Sequence, residues 1–340
     1  MGYVLKTKDM DAILKKWGGD AIIFAPVRYA GQSEFSGQDS IRYGAVKSIG
    51  DIVFDEKSSF TFKEALLPLC ETLFYFTENS VKEADGKEKS AIIFLRSCDL
   101  HALRVFDEIY LNSGPADYYY ARLRENARFI LMGCEKSFRN CFCVDMGTNI
   151  SQNYDAYIKL DEGNVHVDNK FDGWTADFES AAQSSATVTP DYVTDTDVHV
   201  RIPENLSLDV MDSNMWTEYD TRCINCGRCN FSCPTCTCFT MQDIHYTDNG
   251  WAGERRRVHA SCMVDGFTDV AGGASYRQGN GQRMRFKALH KVYDYKKRFG
   301  YHMCVGCGRC DDVCPEYISF STIINKLEQG MEEVTVNDEK

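Results

Sequence analysis

Two cysteine blocks in the C-terminal third have residue types and a spacing that suit metal binding. Each block reads C-x2-C-x2-C-x3-C-P and repeats the same Gly-Arg pair, at residues 223–234 and 304–315. Bacterial ferredoxins bind [4Fe–4S] clusters with this run, because two-residue loops bring three consecutive sulfurs to one cube. The chemistry that the blocks predict is the transfer of single electrons.

The fourth cysteine of each block is expected to bind the cluster of the other block, as in two-cluster ferredoxins. One block alone would also be compatible with zinc, but two copies that share the glycine and arginine favour a pair of [4Fe–4S] clusters. The predicted ligand sets are Cys223, Cys226, Cys229 and Cys314 for the first cluster, and Cys304, Cys307, Cys310 and Cys233 for the second.

Length and cysteine usage restrict the class of protein. The 340 residues suffice for two domains with separate cores, and no stretch approaches the ~20 apolar residues of a membrane span. Disulfide-rich scaffolds are typically short and secreted, whereas eight of the 16 cysteines here have cluster spacing. The N-terminus mixes charges with apolar residues and does not resemble an export signal. We therefore expect a cytoplasmic protein in an anaerobic setting.

The charge is distributed unevenly. The net charge is −12, yet residues 251–300 contain 11 Lys or Arg and four Asp or Glu, a local excess of +7. A basic stretch of this kind is either a solvated helix face with structural arginines or a functional region. The functional alternatives are a docking surface for a partner, or positive residues that raise the potential of a cluster. An acidic chain without a basic domain argues against nucleic-acid binding.

Residues 1–177 have the pattern of an α/β domain. Short apolar runs predict buried strands at 20–26, 91–95 and 128–132. Helices are predicted at 62–76 and at 99–111, the second with Asp99 as its N-cap. A hairpin is predicted at 154–167, with its turn at 161–163.

The periodicity is lost at residues 178–213, where a Ser- and Thr-rich composition predicts a linker. Residues 214–340 are then predicted to form a mainly helical, ferredoxin-like dicluster domain, with a final helix near 319–331. The 70 residues between Cys233 and Cys304 exceed what a minimal ferredoxin needs. This insertion contains the basic stretch and is expected to pack around the clusters.

Four further cysteines suggest a third site, with Asp99 as an alternative ligand. Cys98 and Cys134 each follow a predicted strand, and the carboxyl ends of parallel strands meet at one sheet edge. The period-2 spacing of Cys141 and Cys143 places both thiols on one side of an extended chain. These residues are either ligands of a third [4Fe–4S] cluster or small buried apolar residues.

The remaining cysteines and two histidines have no recognised ligand spacing. Cys236, Cys238 and Cys262 are expected to pack near the clusters, and Cys70 is expected to lie in a helical core segment. No pair of histidines has metal-binding spacing, so His290 and His302 are expected to lie outside the ligand sets.

Several rare motifs in combination resemble the A subunits of anaerobic sulfite reductases. They are residues 91–103, 140–148, 233–238, 253–257, 260–263, 271–273 and 302–310. The likeness extends from about Phe24 to Leu327, which is nearly the whole chain. The iron–sulfur beta subunits of soluble sulfhydrogenases have a similar arrangement and are the main alternative.

The resemblance implies a three-subunit enzyme. A flavin subunit would oxidise NADH, a sirohaem subunit would reduce sulfite to sulfide, and this chain would carry electrons between them. Because Cys98, Cys134, Cys141 and Cys143 lie in the resembling runs, the likeness also favours the third cluster. The alternative is the equivalent subunit of a nickel–iron hydrogenase.

The residues agree with a chain that has no catalytic centre of its own. No G-x-G-x-x-G motif opens a helix after a strand, so a dinucleotide fold of the usual kind is not expected. The C-x5-C and C-x3-C pairing of sirohaem subunits is also missing, because Cys134 and Cys141 are separated by six residues.

Overall fold

The computed structural model describes residues 2–33, 37–84 and 90–338, and it divides into two compact units. The first comprises Met1–Glu135, Ser151–Tyr192 and Thr237–His259. The second comprises Lys136–Ile150, Val193–Cys236 and Ala260–Lys340. Each unit therefore contains three separate stretches of chain, whereas the sequence analysis expected contiguous domains joined by one linker.

The first unit contains a large mixed sheet and a smaller antiparallel sheet. The strands are β1 (Gly2–Lys6), β2 (Ala21–Tyr29), β3 (Ser40–Ala45), β4 (Cys70–Thr77), β5 (Ser80–Glu83), β6 (Ser90–Leu95), β7 (Ala127–Met132), β8 (Ala156–Asp161), β9 (Asn164–Asn169), β10 (Ser184–Ser185), β11 (Phe239–His245) and β12 (Gly253–His259). Its helices are α1 (Thr7–Asp20), α2 (Ser97–Tyr110), α3 (Tyr118–Glu125) and α4 (Thr175–Ala181). The large sheet has the order β10-β1-β9-β8-β7-β6-β2-β3, and the small sheet has the order β11-β12-β4-β5.

The centre of the large sheet is parallel, since β2, β6, β7 and β8 pair in the same direction. Strands β6 and β7 are nearly continuous apolar runs because both of their faces are buried. Helix α1 packs its buried Met10, Leu14 and Trp17 into the same core, where the Trp17 ring stacks on Trp174 at 4.4 Å. The three strands predicted from the sequence are thus present.

The helix predicted at residues 62–76 is wrong. A single 3-10 turn covers Phe62–Ala65, and the segment continues as strand β4, which pairs with β12. Pro68 interrupts a helix here, and the partner strand lies far away in sequence, so the local apolar pattern does not reveal it. Cys70, expected in a core, is exposed at the start of β4.

Helix α2 lies close to its predicted position, but its cap differs. Arg96 is the N-cap, and Asp99 lies in the first turn, where its carboxylate accepts a 3.4 Å hydrogen bond from the Arg96 backbone N–H. The predicted hairpin is formed by β8 and β9. Its turn residues Glu162 and Gly163 have φ values of 43° and 81°, as a two-residue turn between antiparallel strands requires.

Residues 178–213, predicted to be a linker, include the end of α4 and strand β10. Strand β10 pairs with β1 through Ser184 and Ser185, so this part of the chain completes the edge of the large sheet. The polar composition that suggests a linker is here the composition of a short, exposed edge strand.

The second unit consists mainly of helices and loops, with one pair of two-residue strands. Its elements are α5 (Glu218–Arg222), α6 (Arg228–Phe231), β13 (Asp269–Val270), β14 (Ala274–Ser275), α7 (Asn280–Leu289), a π-helical turn (His290–Asp294), α8 (Tyr295–Phe299), α9 (Arg309–Asp312), α10 (Phe320–Asn325) and α11 (Leu327–Asp338). The expected mainly helical, ferredoxin-like character is therefore not confirmed. Among the described residues, no helix is both long and apolar enough to cross a membrane.

A buried arginine joins the small sheet to α3 within the first unit. The Arg257 guanidinium, on β12, lies 2.9 Å from the Glu71 carboxylate on β4 and 2.8 Å from the Asp117 carboxylate, which caps α3. The Arg257 and Glu71 side chains are 7% and 9% exposed. Removing one member of such a group leaves buried charge without compensation.

We expect Arg257→Met to lower the free energy of unfolding by about 3–5 kcal/mol. Urea-induced unfolding of the iron-loaded chain, followed by far-ultraviolet circular dichroism, measures the change. Arg255→Met is the matched control on the same strand, because the Arg255–Asp243 pair is exposed and should contribute about 1 kcal/mol or less. Equal effects of the two substitutions would contradict this account.

Candidate metal centres

The two cysteine blocks fold into equivalent loops, each followed by one helical turn. Asn225 and Gly227 have φ values of 58° and 73° in the first loop, and Gly306 and Gly308 have values of 63° and 67° in the second. These left-handed residues curl the chain so that successive cysteines face one space. Helical turns α6 and α9 then begin directly after Gly227 and Gly308.

The first block surrounds a cavity that a cysteine of the second block completes. Its empty volume is about 470 Å³. The thiols that line it are Cys223, Cys226, Cys229, Cys314 and, at the boundary with the second cavity, Cys310. Apolar side chains such as Met263, Met284 and Ile323 form much of the remaining lining.

The second block surrounds a cavity of about 340 Å³ that a cysteine of the first block completes. The lining thiols are Cys304, Cys307, Cys310 and Cys233. Lys287, Cys310 and Phe320 line both cavities, so the two spaces are neighbours. The structure thus brings together the same two crossed sets of four cysteines that the block spacing predicts.

The donor sets fit a cluster better than a single ion. Within the described residues, no group of three or more His, Cys, Asp or Glu side chains converges closely enough to hold one metal ion. Four thiols that line one cavity instead match a cube that presents one iron to each sulfur. The apolar lining also suits a cluster that is shielded from water.

The two cavities differ in their access to solvent. At the first, Cys226 is exposed and Ile224 is 56% exposed. At the second, Cys307 is buried, and residues 138–148 of the same unit cover the block. The Phe142 N–H donates to the Gly306 carbonyl at 2.8 Å, and the Thr148 hydroxyl donates to the Val305 carbonyl at 2.7 Å.

This covering segment explains the glycines of the second block. A Cβ atom on Gly306 would lie 2.6 Å from the Phe142 carbonyl carbon, and one on Gly308 would overlap the Asn140 carbonyl oxygen. In the first block Asn225 occurs in place of Gly306, and the atoms nearest to a Cβ on Gly227 belong to side chains rather than to backbone. Asparagine tolerates the left-handed conformation, and its amide donates to Asp265 at 3.3 Å.

At the cysteines, burial favours the neutral thiol, whereas nearby positive charge favours the thiolate. Burial raises the pKa of Cys304 to about 12, and it also raises the pKa of Cys310. Metal binding requires thiolates, so the sites need positive charge to stabilise them. Two buried lysines supply part of it. Burial alone would lower their pKa, but nearby cysteines, led by Cys229 for Lys287 and Cys233 for Lys291, raise it above the ordinary lysine value.

Sequence reasoning did not single out these two lysines. Lys287 and Lys291 were counted only as part of the basic stretch at residues 251–300. Their spacing of four along a helix was the available signal, because it places both side chains on one face. Nothing in the sequence marks that face as the buried one.

The cysteines of the predicted third site lie in different units. Cys98 and Cys134 follow β6 and β7, which are neighbouring parallel strands of the first unit. The Arg96 guanidinium donates to the Gly133 carbonyl at 2.5 Å and lies 3.8 Å from the Cys134 sulfur. Cys141 and Cys143 belong to the second unit, and the Cys141 thiol donates to the Cys307 carbonyl at 3.4 Å. The third cluster stays a prediction.

The remaining predicted residues lie outside the two predicted ligand sets. Cys236 and Cys262 are buried in the second unit, where the Cys262 sulfur accepts a 3.0 Å hydrogen bond from the Asn230 amide. Cys238 directly precedes β11 in the first unit. His290 stacks on Phe286, and the His302 ring lies 2.9 Å from the Val292 carbonyl.

Comparisons with known proteins agree with this arrangement. Residues 222–318 match a family described as the 4Fe-4S dicluster domain. The C-terminal part of the chain carries such a domain. Over 332 residues the chain is also 27% identical to sulfhydrogenase 2 subunit beta of Pyrococcus furiosus, a match that spans 91% of this chain and 93% of that protein. No solved structure matches the chain. The chain is thus an iron–sulfur electron-transfer protein related to a sulfhydrogenase beta subunit.

The contact between the covering segment and the dicluster domain can be tested at Gly308. We expect Gly308→Ala to lower the unfolding midpoint in urea and to speed iron loss to a chelator, because the new Cβ displaces Asn140. Gly300→Ala is the matched control: Gly300 has a φ of 83° but open surroundings. The control should lose only the stability that glycine provides in the left-handed conformation, about 1–2 kcal/mol. Identical behaviour of both variants would show that the covering segment does not constrain the block.

Proposed function

We propose that this chain is an iron–sulfur electron-transfer subunit of a multi-subunit oxidoreductase, with one [4Fe–4S] cluster in each cavity of the dicluster domain. The observation that carries the proposal is the convergence of two crossed sets of four cysteines on neighbouring cavities. Cys223, Cys226, Cys229 and Cys314 hold the first cluster, and Cys304, Cys307, Cys310 and Cys233 hold the second.

Bound [4Fe–4S] clusters supply reversible one-electron chemistry. The protein determines where that chemistry is accessible. Phe142 and the rest of the covering segment exclude water from the second cavity, whereas Ile224 and Cys226 leave the rim of the first cavity open. Solvent exposure and buried charge both influence the potential of a cluster, so the two sites differ although their ligand patterns are identical.

The hydrogenase-type complex is the better-supported assembly. Sulfhydrogenase 2 subunit beta aligns over nearly the full length of both chains, which supports an equivalent position in a complex that contains a nickel–iron hydrogenase subunit. A flavin subunit that reacts with a nicotinamide cofactor would be the second partner. The sequence analysis put the sulfite reductase first, and the relative that was found favours its alternative.

Anaerobic sulfite reduction is the second candidate function. The runs at residues 91–103 and 140–148 resemble the A subunits of those enzymes and support it. In that complex the terminal partner would be a sirohaem subunit. The electron-transfer role of this chain is the same in both complexes.

A third cluster bound by Cys98, Cys134, Cys141 and Cys143 is part of the proposal. Its support is the position of Cys98 and Cys134 after adjacent parallel strands, at the sheet edge where α/β proteins bind ligands. Asp99 is buried in the first turn of α2 and is engaged with the Arg96 backbone, which makes a cysteine the better fourth ligand.

Iron content tests the clusters directly. We expect about 12 irons per chain from three cubes, or about eight if only the dicluster domain binds iron. Cys233→Ser and Cys314→Ser should each lower the content by about four, because each thiol completes the site of the other block. Cys262→Ser is the control, since this buried thiol lies outside both ligand sets. Unchanged iron in both ligand variants would contradict crossed ligation.

The partners can be identified by affinity purification of the tagged chain from its native cells under anaerobic conditions. Co-purified nickel supports the hydrogenase-type complex, and sirohaem absorption supports the sulfite reductase. In either complex, Cys226→Ser should abolish activity driven by the nicotinamide cofactor. Activity of the terminal subunit with an artificial electron donor should persist, and its loss would move catalysis into this chain.

A further inference from the structure

Two buried lysines lie beside the cavities of the dicluster domain. Lys287 and Lys291 are 4% and 3% exposed, and they occur four residues apart on the helix that continues from α7 into the π-helical turn. Burying an ammonium group costs several kcal/mol unless other charges compensate. A methionine of similar length would fill the same space without that cost, so the retained charge needs an explanation.

The two lysines differ in the cavities that they line. Lys287 lines both cavities, beside Cys229 in the first and beside Cys310 in both. Lys291 lines only the second, and its ammonium donates to the Thr235 hydroxyl at 2.8 Å. That hydroxyl lies 3.3 Å from the Cys233 sulfur, which completes the second cysteine set. The arrangement connects Lys291 to a cluster ligand through Thr235.

Among the described residues, carboxylates line only one of the two cavities. Within the described residues, neither ammonium group forms an ion pair with an Asp or Glu side chain. Asp311 and Glu316 line the first cavity, where they partly oppose Lys287. The Asp311 carboxylate accepts a 2.8 Å hydrogen bond from the Phe320 backbone N–H. The lining of the second cavity contains both lysines and no carboxylate among the described residues.

We propose that the fixed positive charges of Lys287 and Lys291 raise the reduction potentials of the clusters. Lys287 acts on both clusters, and Lys291 acts on the second alone. The inference rests on the proposed function. A cluster that gains one electron becomes more negative, so a fixed positive charge nearby favours the reduced form. Burial has the opposite effect, and it is stronger at the covered second cavity. Lys291 therefore offsets the burial of the second cluster and brings the two potentials closer together.

The test is a redox titration of the full chain, loaded anaerobically with iron and sulfide and monitored by electron paramagnetic resonance. Lys287→Met should lower the midpoint potentials of both clusters, and Lys291→Met should lower that of one cluster. We expect a change of about tenfold in the ratio of reduced to oxidised cluster at a given potential, equivalent to about 59 mV for a one-electron couple. Thr235→Val, which removes the connecting hydroxyl and keeps the shape, should shift the same cluster as Lys291→Met by a smaller amount.

Lys297→Met is the matched control. Lys297 is exposed on α8, so this variant makes the same change in net charge without removing a buried ammonium group. Both potentials should stay at their wild-type values. Equal shifts in the control and the buried-site variants would overturn the proposal, because the effect would then come from net charge.

Unchanged potentials in Lys287→Met and Lys291→Met with full iron content would also overturn it, since the lysines would then serve packing alone. If the Lys287→Met variant binds no iron, the Lys291→Met variant is the test. A lower midpoint potential of one cluster supports the proposal, and unchanged midpoint potentials overturn it. Failure of the proposed function gives a different result, because the wild-type chain itself would then bind no iron.

Discussion

The dicluster domain must stabilise the negative charge of thiolates in a largely apolar space. Burial alone favours neutral thiols, as the raised pKa values of Cys304 and Cys310 indicate. A bound cluster would supply compensating positive charge through its iron, and backbone N–H groups and buried lysines add to it. The Ile318 N–H, for example, donates to the Cys314 sulfur at 3.3 Å. The long insertion between the blocks then has a physical purpose, since it contributes the helix that places Lys287 between the cavities.

Nearly identical sequences have unlike surroundings in the two blocks. Gly306 and Gly308 accept close contact with a backbone segment, while Asn225 occupies the equivalent of Gly306 in the first block. The position three residues after the fourth cysteine differs in the same way: Cys236 is buried after the first block, and Tyr317 is 78% exposed after the second. Two sites with one ligand pattern thereby acquire different access to water without any change of ligand.

Short-range sequence patterns predicted the strands that depend on residues close together in the chain. The apolar runs located β2, β6 and β7, and the cysteine spacing predicted crossed ligand sets whose members line the two cavities. Strand β4 was misread as a helix because its partner β12 lies about 180 residues away, and only that pairing makes the segment a strand. The contact of Phe142 with Gly306 is equally non-local. The importance of Lys287 and Lys291 also depends on tertiary structure, because a count of basic residues does not distinguish a buried ammonium group from a solvated one.

The same electrostatics bear on why one subunit design suits different terminal reactions. With the proposed clusters bound, solvent would raise the potential of the exposed first cluster, Lys287 would raise the potentials of both, and Lys291 would raise that of the covered second cluster. Clusters of similar potential pass electrons in either direction with little loss of free energy. The net direction is then set by the partners: one that supplies electrons at low potential, and one that consumes them. A chain of this kind can pass electrons to different terminal subunits without altering its own ligands.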